Sequence, residues 1–325
     1  MSREHATAAP RGDLPANGSA PAAPAAPAAP AELAPPGRRE PYGPHGEARG
    51  YAPRRTLPLR VEFVRQGRRR RTTVMFALLA ALPWILVAAF SLAPERTTQG
   101  SGLSMSDLAT ESALNFSIFT LFVSASFLLV VAVALFCGDT VASEANWSSL
   151  RYLLAAPVPR DRLLGRKLVV AFGYAAAAVI TVPLMALLAG TVAFGWDDVR
   201  VPFTGETIEA AAVLPRFAVI VGYILLNQLT VAALAFLLST MTDSPLGAVG
   251  GAVGLVVVSN ILQAVEVLGS LREFLPTFWN TAWIYALGVD LDWSGMVRGA
   301  ALSVTYGVVL TALAFRRFRR KDVVS

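Results

Sequence analysis

RRRRTTVMFALLAALPWILVAAFSL, residues 68–92, sets four arginines directly against an uninterrupted apolar run. A helix rises 1.5 Å per residue, so about 20 apolar residues cross a hydrocarbon core of roughly 30 Å. The run from 73 to 92 meets that length, and runs of the same kind recur at 116–137, 168–194, 217–239, 246–268 and 297–315. Buried helices of a soluble protein account poorly for six such runs. The first is too long and starts too late for a cleavable signal peptide. Composition agrees: 54% of the 325 residues are hydrophobic and 15% charged, where soluble domains carry about 25% charged residues. Pro83 and Pro183 fall inside runs, where neighbouring helices make a proline tolerable. The expected fold is an all-α polytopic membrane protein with six transmembrane helices.

Upstream of the arginines, in TLPLRVEFVRQG (56–67), Leu57, Val61 and Val64 recur at i, i+4 and i+7 with Phe63 beside them, while Arg60, Arg65 and Gln66 take other faces. This spacing predicts an amphipathic basic helix over 54–72 lying in the headgroup layer. A basic block such as Arg68–Arg71 can bind nucleic acid. Its position against a span instead reads as a topology signal in contact with anionic lipid. Residues 1–53 hold 11 of the 21 prolines, with PAAPAAPAAPAELAPP at 21–36. They offer too little apolar surface to offset ordering and are expected to form a disordered cytoplasmic tail. The six-span region then occupies 73–325.

Charge tests the topology. With the N-terminus inside and six spans, 23 basic residues lie inside and five outside (Arg96, Arg200, Arg216, Arg272, Arg298). Acidic residues divide 11 and 11, giving about +12 inside and −6 outside. Both termini are therefore expected in the cytoplasm of a bacterial-type cell, with the chain in its plasma membrane. Segment 269–296 contains FLPTFWNTAWIYALG (274–288), where Pro276 and Asn280 argue against a seventh span. Trp279, Trp283, Tyr285 and Trp293 suit the membrane interface, so short re-entrant or surface-lying helices are expected on the outer side. In the fifth run Gly247/Gly251 and Gly250/Gly254 form overlapping GxxxG patterns for close helix packing.

Catalytic patterns are absent from the sequence. The two lysines, Lys167 and Lys321, each follow an arginine, so no GK pair can build a phosphate loop; HExxH and GxSxG are missing too. Cys137 stands alone, and His5 and His45 lie in the tail, so no metal cluster or intramolecular disulfide is expected. The chain is expected to be no enzyme and to hold no cofactor of its own. The main polar side chains within the runs are Asn227, Gln228, Asn260 and Gln263, with Glu266 near the outer end of the fifth. They serve as interhelical hydrogen-bonding groups or, on a sharper reading, line a translocation path. Without a mid-membrane carboxylate, energy for transport has to enter from elsewhere.

The loop 138–167 reads GDTVASEANWSSLRYLLAAPVPRDRLLGRK. Trp147, Leu150 and Leu154 repeat at i, i+3 and i+7 with Leu153 alongside; Pro157 and Pro159 end that helix, and Asp161 can cap the next. The residues give an amphipathic cytoplasmic helix between two spans, and leave open whether its apolar face rests on lipid or docks a soluble partner.

SSLRYLLAAPVPR followed by DRLLGRK is similar to the cytoplasmic-loop signature of the ATP-binding-cassette (ABC) type-two export permeases. That signature runs E, a short gap, GTL, two residues, LL, two residues, PVSR, then a leucine-rich step to a lysine. Glu144, Leu150, Leu153, Leu154, Pro157, Val158, Arg160 and Lys167 match it; Ser148, Ser149 and Pro159 depart from its Gly, Thr and Ser. The layout over 54–322 also resembles the family. The resemblance implies a permease subunit of an exporter, paired with a second permease subunit (a copy or a sibling) and with soluble ABC ATPase subunits that bind ATP and Mg. It assigns ATPase coupling to Glu144, Trp147, Leu150, Arg151, Leu153, Leu154, Pro157, Arg160 and Lys167. Trp147, Leu150 and Leu154 offer the apolar face, and Arg151 and Arg160 the charges for acidic partner groups. A non-transporting sensor or anchor, an ion-coupled carrier and a lipid-modifying enzyme are the other classes; the charge-free runs disfavour the carrier and the missing catalytic groups the enzyme.

Overall fold

The computed structural model describes residues 58–92, 105–146, 160–201, 205–288 and 292–320. The expectations for the tail 1–53 and for Trp147, Leu150, Arg151, Leu153, Leu154, Pro157 and the Arg160 side chain lie outside the described residues.

The described chain is almost wholly helical. Its elements are α1 (Leu59–Gly67), α2 (Arg70–Leu92), α3 (Met105–Leu108), α4 (Ala113–Ala125), α5 (Leu128–Asn146), α6 (Arg160–Phe194), α7 (Ala210–Met241), α8 (Pro245–Gln263) and α9 (Ser294–Arg320). Two short 3-10 segments, Glu266–Phe274 and Ala282–Leu287, lie between α8 and α9. Val199–Arg200 pairs antiparallel with Thr207–Ile208. Helices α2, α6, α7, α8 and α9 are each long and apolar enough to cross a membrane; α4 and α5 pass the same test only as a pair, bent by 56°. This is an all-α, multi-pass membrane architecture.

The bend corrects the expected continuous span over 116–137. The helix breaks at Ser126–Phe127, and a break frees carbonyls that lipid cannot satisfy. The buried Gln228 on α7 donates its amide to the Ala125 carbonyl at 3.1 Å, so the broken end is met by a neighbouring helix. The helices also outrun the apolar windows. α5 continues to Asn146 and α6 begins at Arg160, carrying polar residues as helical extensions of both apolar runs. α8 stops at Gln263, short of the expected 268.

Packing centres on α5 and α7, whose inward faces meet those of α6, α8 and α9. Ser239 Oγ on α7 accepts from the backbone N–H groups of Val141 and Ala142, both at 2.9 Å, tying α7 to α5. Between α7 and α9 the contact is close: a Cβ on Gly299 would meet Trp279 Cβ at 2.6 Å as well as the Tyr223 hydroxyl, and one on Gly307 would meet Leu229 at 2.8 Å. Of the GxxxG glycines, Gly251 lies under Leu238 (3.2 Å), whereas Gly250 and Gly254 have no neighbour within 4 Å among the described residues.

The aromatic segment is short helices, as its sequence suggests, but it is bound to the bundle through more than its rims. Tyr223 donates to the Trp279 carbonyl at 2.6 Å, and Tyr306 to that of Phe274 at 2.7 Å. Trp283, expected at the membrane interface, is 1% exposed and belongs to the core, while Tyr285 is exposed. Gly269 (φ 52°, ψ −129°) supplies the kink inside the first 3-10 segment, a conformation that favours glycine.

Candidate functional site

α1 turns its polar side inward. Glu62 and Gln66, one helical turn apart, are buried, while Val61 is 58% exposed and Phe63 and Val64 also face outward. Val61 and Val64 are therefore free to meet lipid, while the polar face, with half-exposed Phe63 at its edge, docks on α5 and α6. Phe63 stacks on Tyr174 at 4.7 Å between ring centroids, and Tyr174 donates to the Phe63 carbonyl at 2.8 Å. Gln66 donates to the Phe136 carbonyl at 3.3 Å.

Lys167 lies at the centre of this junction. Its side chain is 1% exposed, with Nζ 2.6 Å from Glu144 Oε1 and 3.2 Å from Glu62 Oε1. Arg65 pairs with Glu62 at 2.7 Å and also with Glu144. Two carboxylates from α1 and α5 thus alternate with two cations from α1 and α6. Buried charges are costly to desolvate, and such a set persists only when each charge has its partner. Burial alone would raise the Glu62 carboxyl; Lys167 and Arg65 outweigh it and hold the group below its ordinary value. Burial likewise pulls the Arg65 guanidinium down, and Glu144 and Glu62 more than restore it.

A second knot lies one turn away. Asp139 on α5 accepts from Arg69 at 2.6 Å and pairs with Arg71, and Arg69 also donates to Ser143 at 3.2 Å. This revises the expected role of the basic block: two of its four arginines are engaged by Asp139, in addition to any contact with lipid.

Glu144 and Lys167 were selected by their place in the loop signature, and the structure brings them together. They flank the segment 147–159, so the end of α5 and the start of α6 are pinned to each other and to α1 at the base of that loop. Glu62, Arg65, Arg69 and Asp139 were missed. The Glu62/Arg65 spacing of three within a helix was the available signal, but it does not reveal the partners on α5 and α6.

The four amides separate into two places. Asn227 and Gln228 are buried on α7, and Gln228 lines an apolar cavity of about 350 Å³ with Val133, Phe172, Val179 and Leu225. Asn260 and Gln263 are half-buried near the end of α8. There the Gln263 side-chain oxygen accepts from the Thr277 hydroxyl at 3.1 Å, fastening the aromatic segment.

No curated protein matches this chain. One family, described as a protein of unknown function (DUF2705), matches residues 84–324, a stretch that includes Asp139, Glu144 and Lys167 but begins after α1. With about three quarters of its length covered, the chain belongs to the DUF2705 family.

Proposed function

We propose that the chain is the six-span permease subunit of an ATP-driven ABC exporter, set in a bacterial plasma membrane with both termini cytoplasmic. ATP and Mg are held by a separate soluble ATPase, and a second permease subunit completes the membrane part. The observation that carries this reading is the Lys167–Glu144–Glu62–Arg65 cluster at the base of segment 147–159. A force applied to that segment by a bound ATPase has a rigid path: α5 and α6 are continuous helices from the cluster into the apolar region, and α1 is tied to both.

The break at Ser126–Phe127 gives the lower part of the second span a place to pivot, and Gln228 touches that break from α7. The adjoining 350 Å³ cavity has walls almost wholly of apolar side chains and suits an apolar or amphiphilic cargo. Of the amide set, Gln228 lines it; Asn227, buried beside it in sequence, does not, and Gln263 has a structural partner in Thr277. Closure of the ATPase pair would then shift the equilibrium between inward- and outward-open arrangements.

Replacing Leu150 and Leu154 with Asp tests the reading. The double variant should insert and fold but lose the co-purifying ATPase. Undiminished assembly would remove 147–159 as the docking element. A sensor or anchor subunit would keep the ATPase yet move no cargo in reconstituted vesicles.

A further inference from the structure

We propose that the C-terminal ends of α7 and α9 form a binding site for the phosphate headgroup of an anionic glycerophospholipid. The proposal requires only that these two helices cross a membrane, and does not depend on the exporter reading. Along most of their length they pack closely, with Gly299 and Gly307 admitting Tyr223 and Leu229. Where both end, they leave a cavity of about 630 Å³ lined by Leu237, Thr240, Met241, Leu313, Arg316, Arg317 and Arg320.

The lining contains three arginines and no acid. None of these three has an ion-pair partner among the described residues, whereas Arg319, outside the lining, pairs with Asp161 at 3.2 Å. The tail of α9 thus divides its charge, one arginine for α6 and three for the cavity. The C-terminal dipoles of two helices oppose an anion with about half a charge each, and three full guanidinium charges exceed that. Guanidinium forks match phosphate oxygens in pairs.

The rest of the lining selects a lipid over a soluble phosphate. Leu237, Met241 and Leu313 give the cavity apolar walls, and Met241 and Leu313 are exposed at its side. Free phosphate gains nothing from such walls, whereas glycerol and acyl chains continue along them into the bilayer. Basic pockets between spans are a recurring form of headgroup site.

The test uses the full-length chain purified in mild detergent and offered phosphatidylglycerol, phosphatidylcholine or inorganic phosphate, with bound molecules read by native mass spectrometry and stability by thermal unfolding. Phosphatidylglycerol should be retained roughly tenfold or more over phosphatidylcholine. The variant R316Q/R317Q/R320Q should lose that preference and R319Q should keep it. M241W keeps every charge and narrows the cavity from an exposed position, so it should weaken the preference. Equal retention of the two lipids, or an undiminished preference in M241W, would overturn the site. Stabilisation by inorganic phosphate equal to that by phosphatidylglycerol would overturn the lipid assignment in favour of a soluble anion.

Discussion

Lys167 Nζ lies 2.6 Å from Glu144 Oε1, in a pocket where the lysine side chain is 1% exposed, and these two residues stand on either side of segment 147–159. The pair joins the two helices that flank this segment, to which the resemblance to ABC export permeases implies a coupling role. Glu62 at 3.2 Å brings α1 into the same contact.

Removing the lysine takes a cation from two buried carboxylates, Glu62 and Glu144, beside which Arg65 stays. Lys167→Met should destabilise the junction by about 3–5 kcal/mol, the usual cost of breaking a buried ion pair from one side. Hydrogen exchange over α1 and the ends of α5 and α6 reads this directly. The triple variant E62L/E144L/K167M, which removes the carboxylates as well, should recover much of the loss.

Glu62 gives the junction a pH dependence of definite sign. Its carboxyl lies below the ordinary value of 4.5 in the folded chain. Its contribution is therefore complete above that value and is lost as pH falls below it through the native pKa. Protection of α1 should be constant from pH 7 to 5 and decline under stronger acid. Glu62→Gln should be weaker at neutral pH and show a shallower acid decline.

Gln228 satisfies the broken end of α4 through the Ala125 carbonyl at 3.1 Å. Gln228→Leu should lower stability by about 1 kcal/mol, within the range measured for hydrogen bonds between membrane helices. Thermal unfolding in detergent gives the magnitude, and increased exchange at residues 126–130 would locate the effect.

The glycines separate cleanly. Gly299→Ala places a methyl against Trp279 and Tyr223 and should cost about 1–3 kcal/mol through overpacking. Gly250→Ala and Gly254→Ala meet nothing within 4 Å among the described residues and should leave the melting temperature of the monomer within a degree or two of wild type. A larger effect at Gly250 or Gly254 would reveal a partner helix packed on α8.

Apolar length was sufficient to locate the five helices long and apolar enough to cross a membrane, because an uninterrupted apolar run of about 20 residues matches the thickness of the hydrocarbon core. The break in the second apolar run was hidden: Ser126 and Phe127 lie between apolar residues on both sides, and no proline or glycine marks the bend. The extensions of α5 and α6 were likewise hidden, since hydropathy falls at Asp139 while the helix continues. Trp283 was misplaced because an aromatic-rich segment has the same composition whether it rims a membrane or fills a core. At the junction, Glu144 and Lys167 were legible as members of a motif. Their burial depends on Glu62 and Arg65, which reach them across 105 and 79 residues of chain, and one sequence carries no sign of that pairing.

The most direct test of the exporter reading is to extract the tagged full-length chain from its native membrane in mild detergent and identify by mass spectrometry what remains bound. A soluble ATPase of the ABC type should remain bound in near-equal amount and be lost when Leu150 and Leu154 are replaced by Asp. A chain that purifies alone, well folded and reproducibly so, would contradict that reading.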